Sequence, residues 1–382
     1  MFRKLLLCVL FMLMAVSCGQ PYETSEAELF VMVTSDLHLS EKEQNSSVIP
    51  LSAYSVELAR TAAREVIAEH PDVFILCGDN TNSGRESDEH ILHDILYEVK
   101  EAGIRIILVP GNHDLNITDE NTFRTVFCDL LQTDEEDPAS LSYVSVVNNV
   151  MFLAADDSSF DEYNKGRFSD DTMEWIRRQL IRAEKAHRKV IFISHHNVLF
   201  DDGRGNYGIM NKELEALLKR YHVQLCLSGH THQQDILEDD GLYEIVSGAP
   251  MSGTHPVGRL RIDGDQVTYD AQPLDFEAFS DIAPLVHTLD RSASEATEAM
   301  FRDIFLRKGY TEEEADAMTD TASLFLHYYG LGTLSEHKQE ILDDPYCERM
   351  LEGLSDANYG PWMDSVLHSE LRNAVSLSFE YR

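Results

Sequence analysis

The sequence predicts an α/β fold: two packed β-sheets flanked by helices, with a helical appendage at the C-terminal end. Three observations carry this. Short apolar, β-branched runs alternate with stretches of helical spacing from residue 29 to residue 227, the pattern of strands covered on both faces. A hairpin signal at 143–154 and four short strand candidates through Gln272 break that alternation and supply a second sheet. From about Phe276 the strand signal disappears, and the remainder is rich in Ala, Leu, Met and Glu. The chain divides accordingly into a leading segment 1–18, a tether 19–28, a main domain 29–275 and a helical region 276–382.

The elements follow in order. Residues 29–34 read as the first strand. Residues 52–69 have helical spacing, with Val56, Ala59, Ala63, Val66 and Ile67 on one side. A second strand spans 72–77, a helix spans 89–102 and stops at Gly103, and a third strand spans 104–109 before Pro110-Gly111. Residues 119–130 read as helix, and 143–147 and 150–154 as strands around an Asn148-Asn149 turn. A helix over 169–186, a strand over 189–194, a helix over 212–221 and a strand over 223–227 complete the alternation. Turns at Asp239-Asp240-Gly241 and Asp263-Gly264 separate the late strands. In the tail, Thr311 followed by Glu314 has the spacing of a helix-capping box.

Composition bounds the function. The chain has 382 residues, 43% hydrophobic, which is ample for a full core. Its net charge of −36, with no Lys/Arg cluster beyond the N-terminus, disfavours a nucleic-acid partner, because such affinity comes from basic groups neutralising phosphates. Solubility alone is the blander account of the acidity. No C-x-x-C is present, so a cysteine zinc site has no support. Cys77 and Cys226 fall in apolar strands as small hydrophobes, and a Cys128–Cys347 pair is left open by sequence alone.

The first eighteen residues stand apart. Arg3 and Lys4 precede an apolar run over 5–16, which ends in Ala15-Val16-Ser17-Cys18. This is the layout of a secretory signal, and the run is short for a membrane span. The ending resembles a bacterial lipobox, with Ala15 where Leu is commonest. That resemblance implies a lipid on Cys18 and an extracytoplasmic, membrane-anchored location; plain secretion with cleavage near Cys18 is the alternative.

Polar residues gather where strands end, the place where open α/β sheets bind ligands. The first strand ends in Asp36-Leu37-His38, the second in Gly78-Asp79-Asn80, and the third in Gly111-Asn112-His113-Asp114. The strand over 189–194 ends in His195-His196, and that over 223–227 in Gly229-His230-Thr231-His232. In an extended segment, residues two apart point the same way, so Asp36 and His38 can face one ion. Each piece alone is weak, but buried carboxylates and imidazoles are costly unless paired or metal-bound, and five such strand ends exceed what packing explains. Oxygen and nitrogen ligands without sulfur suit manganese, iron or zinc, and seven ligands are too many for one ion.

These blocks, D-x-H, G-D, G-N-H-D, a lone His and G-H-x-H in that order, resemble the calcineurin-like metallophosphoesterase family over roughly residues 29–272. The resemblance implies a two-sheet αββα sandwich and two divalent metal ions. It implies that Asp36, His38 and His232 bind one ion, that Asn112, His195 and His230 bind the other, and that Asp79 bridges them. Either His195 or His196 can be the lone histidine, and His195 is preferred because it directly follows its strand. A bridging hydroxide would attack a small phosphoester, mono- or diester, with His113 serving the leaving oxygen and Asp114 orienting His113. The competing readings are a metal-binding envelope lipoprotein without activity, acting as a scaffold, and an interaction protein working through its helical tail.

A G-x-S-x-G elbow, a phosphate-binding G-x-x-x-x-G-K-[ST] loop and H-E-x-x-H are all missing from the sequence. His255 stands in a loop that could approach the site, and Asn80, Asn82 and Arg85 follow Asp79 closely enough to be substrate contacts. For Asn82 and Arg85 a surface loop is the blander account. His70, His90, His93, His187 and His222 read as surface groups in or beside helices.

Overall fold

The computed structural model describes residues 28–42, 50–158, 165–199, 208–251, 253–357, 359–368 and 373–381. The signal segment, Cys18 and all of the tether but Glu28 lie outside the described residues. Among the described residues, thirteen strands form two sheets: β1 (Leu29–Thr34), β2 (Val73–Leu76), β3 (Arg105–Leu108), β4 (Glu135–Glu136), β5 (Tyr143–Val147), β6 (Val150–Ala154), β7 (Lys189–Ile193), β8 (Leu225–Ser228), β9 (Asp235–Asp239), β10 (Leu242–Val246), β11 (Pro256–Asp263), β12 (Gln266–Pro273) and β13 (Ser376–Glu380). One sheet runs β13-β12-β11-β1-β2-β3 and the other β4-β5-β6-β7-β8-β10-β9. In the first, β1, β2 and β3 are parallel; in the second, β6, β7, β8 and β10 are.

The helices are α1 (Ser55–Glu69), α2 (Glu86–Glu101), α3 (Glu120–Phe127), α4 (Asp170–Lys185), α5 (Glu213–Arg220), α6 (Phe276–Phe279), α7 (Ala283–Arg307), α8 (Glu312–Gly330), α9 (Leu334–Leu342), α10 (Cys347–Gly353) and α11 (Tyr359–His368). Alternation along each strand sorts side chains into layers. From β1, Val31 and Val33 enter the core between the sheets with Phe152, Ile191 and Leu225 of the second sheet. Met32, between them in sequence, faces outward against Leu58 of α1 and Leu92 of α2. On the far side, Phe192 and Cys226 pack beneath Trp175 of α4 and Leu214 of α5. The order is helix, sheet, sheet, helix, as the sequence reading expected.

The helical region builds its own core from Phe301, Phe305, Met318, Phe325, Met350 and Met363. α8 starts with the expected capping box: the Thr311 hydroxyl accepts from Glu314 N, and Glu314 Oε2 accepts from Thr311 N. One expectation fails. The strand signal does not end near Phe276, because β13 returns after the helices and pairs antiparallel with β12, Tyr269 opposite Leu377. Its sequence, Ser-Leu-Ser-Phe-Glu, alternates as an edge strand should, but five residues after a long helical stretch are a faint signal. Cys77, Cys128, Cys226 and Cys347 are free thiols, so no 128–347 disulfide forms. Among the described residues, no helix is long and apolar enough to cross a membrane.

Candidate metal centre

Strands β1, β2 and β3 of one sheet and β7 and β8 of the other deliver their C-terminal ends to a common edge, and backbone hydrogen bonds stitch the loops together there. Asp36 N donates to Gly78 O at 2.9 Å, His38 N to Asp79 O at 2.9 Å, and Gly229 N to His195 O at 3.0 Å. Side chains add to this: His230 N donates to Asp36 Oδ2 at 3.0 Å, and His113 N to Asp79 Oδ1 at 2.8 Å. The close packing explains two glycines. A Cβ on Gly78, whose φ is +94°, would stand 2.5 Å from His195 Nδ1, and one on Gly229 would run into Ser35 Oγ.

The expected residues come together in two groups. Ligand atoms of Asp36, His38, Asp79 and His232 lie within 4.8 Å of one another, and so do those of His195, His196 and His230. Asn112 joins the second group, its Oδ1 3.1 Å from His195 Nε2. Asp79 touches both: Oδ2 is 3.6 Å from His38 Nε2, and Oδ1 is 3.4 Å from His195 Nε2.

The backbone carries a mark of function that no side chain shows. Asp36, His38, Asp79, His230 and His232 all have positive φ, between 42° and 72°. Non-glycine residues adopt that region at a cost and cluster in it at functional sites. This also corrects a reason given above. Asp36 and His38 face one place through two left-handed residues beyond the end of β1, not through the alternation of an extended strand.

Burial and charge shape the electrostatics. Burial drives His38 down to about 3 and His230 to about 2, so both are neutral imidazoles with a lone pair to give. Burial works the same way on His195, but the Asp79 carboxylate beside it outweighs that and raises it to about 10. Burial pushes Asp36 up, while Asp79 lies well below the carboxylate range because His195 and His38 overcome its own burial. The carboxylates thus demand positive charge, which a proton on His195 or a divalent cation can satisfy.

His195 and His196 are both in place but not equivalent. His195 donates from Nδ1 to Cys77 O at 2.9 Å, which leaves Nε2 facing Asn112 and Asp79. His196 donates from Nδ1 to Asp157 Oδ1 at 3.2 Å, and its buried Nε2 has no hydrogen-bond partner. Asp157 was missed in the sequence, although it follows β6 as the other acids follow their strands. Glu244 was missed too; it accepts from Val198 N, Leu199 N and Ser228 Oγ and so fixes the loop after His196. In the middle of β10 it reads as an ordinary strand residue.

Asp114 is buried between the loops after β2 and β3. Its carboxylate accepts from Asn80 N and Nδ2, Thr81 N and Oγ1, and Gly111 N, tying the loops after β2 and β3 together. His113 instead donates from Nδ1 to the Asn82 carbonyl at 2.8 Å. Asn80 is buried and structural, donating to Val109 O at 2.8 Å, while Arg85 turns to Asp88 at 4.0 Å. His255 belongs to neither group; it spans Pro250 O and Asp290 Oδ2, at 2.8 and 3.0 Å. His70, His187 and His222 are left-handed residues just past helices.

The donor set fits divalent metals: buried carboxylates, neutral imidazoles and an amide oxygen, with the Nε2 atoms of His38 and His232 turned toward each other at 2.9 Å. A family model described as calcineurin-like phosphoesterase matches residues 31–234. The chain belongs to the calcineurin-like phosphoesterase family. A dimetal phosphatase from Danio rerio shares the fold, with a TM-score of 0.54 at 14% identity over 64% of this chain and 96% of that one. A 5'-nucleotidase precursor from Thermus thermophilus matches with a TM-score of 0.41 at 14% identity, over 71% of this chain and 59% of the other. The anchor of the Plasmodium inner membrane complex matches at 0.44 and 14%, over 65% and 85%. No curated protein matches the chain in sequence. The family match spans all five motif blocks and stops short of the late strands and the helical region.

Proposed function

We propose that the protein hydrolyses small phosphoesters with two divalent ions, manganese, iron or zinc. The observation that carries this is Asp79, whose two carboxylate oxygens face different histidine groups, 3.6 Å from His38 and 3.4 Å from His195. Asp36, His38 and His232 would hold one ion, Asn112, His195 and His230 the other, with Asp79 shared. Bound there, the ions supply Lewis acidity toward the phosphoryl oxygens and a water of lowered pKa. The chain supplies the rest. His113, fixed at Nδ1 by Asn82, presents Nε2 toward the site and delivers a proton to the leaving oxygen. Asp114 holds the loops that carry Asp79 and Asn112 in register.

The same reading treats residues 29–275 as the catalytic domain and 276–382 as its appendage. It places the protein outside the cytoplasm, anchored by a lipid on Cys18; Cys18→Ala would release it from membranes if that placement is right. The catalytic test is direct. The chain from Gln20 onward is stripped of metal and assayed on an aryl phosphomonoester and a bis-aryl phosphodiester, with and without manganese. Metal-dependent turnover that is lost in Asp79→Asn supports the proposal, and the preferred ester separates mono- from diesterase. A chain that binds no metal and turns over neither ester would overturn it in favour of a scaffold.

A further inference from the structure

Beside the metal centre lies a cleft of about 1030 Å³, at the large end of small-molecule sites. One wall is the loop carrying Thr231 and His232 and the edge strand β9; the other is the helical region, through α8, α9 and α11. The walls are bonded to each other. Tyr329 Oη donates to Gln233 Oε1 at 2.6 Å, and Gln234 Nε2 donates to Ala374 O at 3.1 Å. The segment that contains His232 is therefore continuous with a pocket that the helical region completes.

The lining has a definite chemistry. Tyr329 and Trp362 meet at right angles, with ring centroids 5.0 Å apart, and form a half-buried aromatic corner. Leu326 and Val366 extend it as apolar surface. Across from them β9 contributes Asp235, Glu238 and Asp239, and Glu215 stands nearby. No lysine or arginine is among the described residues lining the cleft. At one end, Glu215 and Asp239 are paired with Lys219. Aromatic faces and carboxylates together favour an organic cation, and they repel a second phosphate or a carboxylate.

We infer that this cleft receives the alcohol half of the substrate, and that this alcohol is a small ammonium alcohol: a positive nitrogen on an apolar body. The inference rests on the hydrolytic reading above and specifies its substrate. The phosphoryl group sits at the metal centre, and the alcohol extends past His232 to the Tyr329–Trp362 corner, with Asp235 and Glu238 opposite. Hydrolysis adds water across the P–O bond: phosphorus gains the water oxygen, and the alcohol leaves with a proton on its own oxygen.

The test compares phosphocholine with 3,3-dimethylbutyl phosphate, which has the same shape without the charge, and with an aryl phosphate. In the metal-loaded full chain, kcat/KM for phosphocholine is expected to exceed that for its neutral isostere by roughly tenfold. The double variant Asp235→Asn, Glu238→Gln is expected to bring that ratio near one. In a separate arm, phosphocholine is titrated into the metal-free chain and tryptophan emission is followed. The chain has two tryptophans, so a response lost in Trp362→Phe belongs to the cleft. A ratio near one in the unmodified chain, with the aryl ester turned over, overturns the cleft assignment and leaves the hydrolase reading standing. An emission response to phosphocholine with no turnover of any ester supports the cleft and sinks the hydrolase reading. No response and no selectivity overturn the inference.

Discussion

His113 is oriented by Asn82: its Nδ1 donates to the Asn82 carbonyl at 2.8 Å, while its ring stands edge-on to His38 at 4.7 Å. A backbone carbonyl cannot move away as a side chain can, so it fixes the Nδ1-protonated tautomer. His113→Ala is expected to lower kcat/KM by about 10²–10⁴-fold on an alkyl phosphoester. The loss should be smaller on a nitrophenyl ester, whose leaving oxygen needs no proton. Equal losses on both esters would remove His113 from the role of acid.

Asp114 makes a contrasting case. It is buried and takes five hydrogen bonds from Asn80, Thr81 and Gly111. Asp114→Ala strands those donors, and a stability loss of about 3 kcal/mol or more is expected in chemical denaturation. Asp114→Asn turns one accepting oxygen into a donor facing Thr81 or facing Asn80 and Gly111, so it should also lose stability, while leaving the shape of the pH–rate profile intact. A shifted profile in Asp114→Asn would restore the direct link to His113 that the sequence suggested.

Asp79 links the two histidine groups, so under the two-ion proposal its loss should affect both sites. Asp79→Asn is expected to lower bound metal from two ions per chain toward one or none, measured by elemental analysis after dialysis against manganese. Unchanged metal content in that variant would contradict a shared ligand.

Glu89 offers a pH test away from the site. Burial raises its carboxyl to about 7, although it accepts from the Thr118 hydroxyl at 2.8 Å. Between the ordinary value of 4.5 and about 7 the folded chain holds a proton there that the unfolded chain has released. Stability from this group is therefore lost as pH rises through that window. Glu89→Gln should keep the Thr118 contact and raise Tm more at pH 8 than at pH 5. Equal shifts at the two pH values would count against a raised Glu89.

Much of this was legible in the sequence. Strand ends pointed to Asp36, His38, Asp79, Asn112, His195, His230 and His232, which the fold gathers into two groups, because polar residues after buried β-branched runs have few structural excuses. The hairpin at Asn148 was plain, since two short apolar runs flank a turn-forming pair. What escaped depends on distance in space rather than pattern in sequence. Asp157 meets His196 across 39 residues, and Glu244 meets Val198 across 46. The left-handed backbone at Asp36, His38, Asp79, His230 and His232 escaped because it is imposed by the loops around them, not by residue type. β13 escaped because its partner β12 ends about a hundred residues earlier, and only that pairing makes five exposed-looking residues a strand.

That last strand changes what the helical region is. Because β13 lies beside β12 and Tyr381 then reaches into the other sheet, with its hydroxyl donating to Val190 O at 2.7 Å, the chain leaves the sandwich after β12 and comes back to finish it. The helices are an excursion with both feet on the same sheet, not a free tail. Cutting the chain after residue 280 would strip an edge and a cross-sheet tyrosine from the sandwich and confound any question about the helices themselves. Joining the end of β12 to the start of β13 through a short turn would keep the edge strand and the tyrosine, since the two strands already run antiparallel as neighbours, while taking away Phe276, Ala283 and Val286, which pack in the core over α1 and α2. The sandwich thus closes behind its helices, which are held between its last two strands and reach back to the His232 loop through Tyr329 and Gln233.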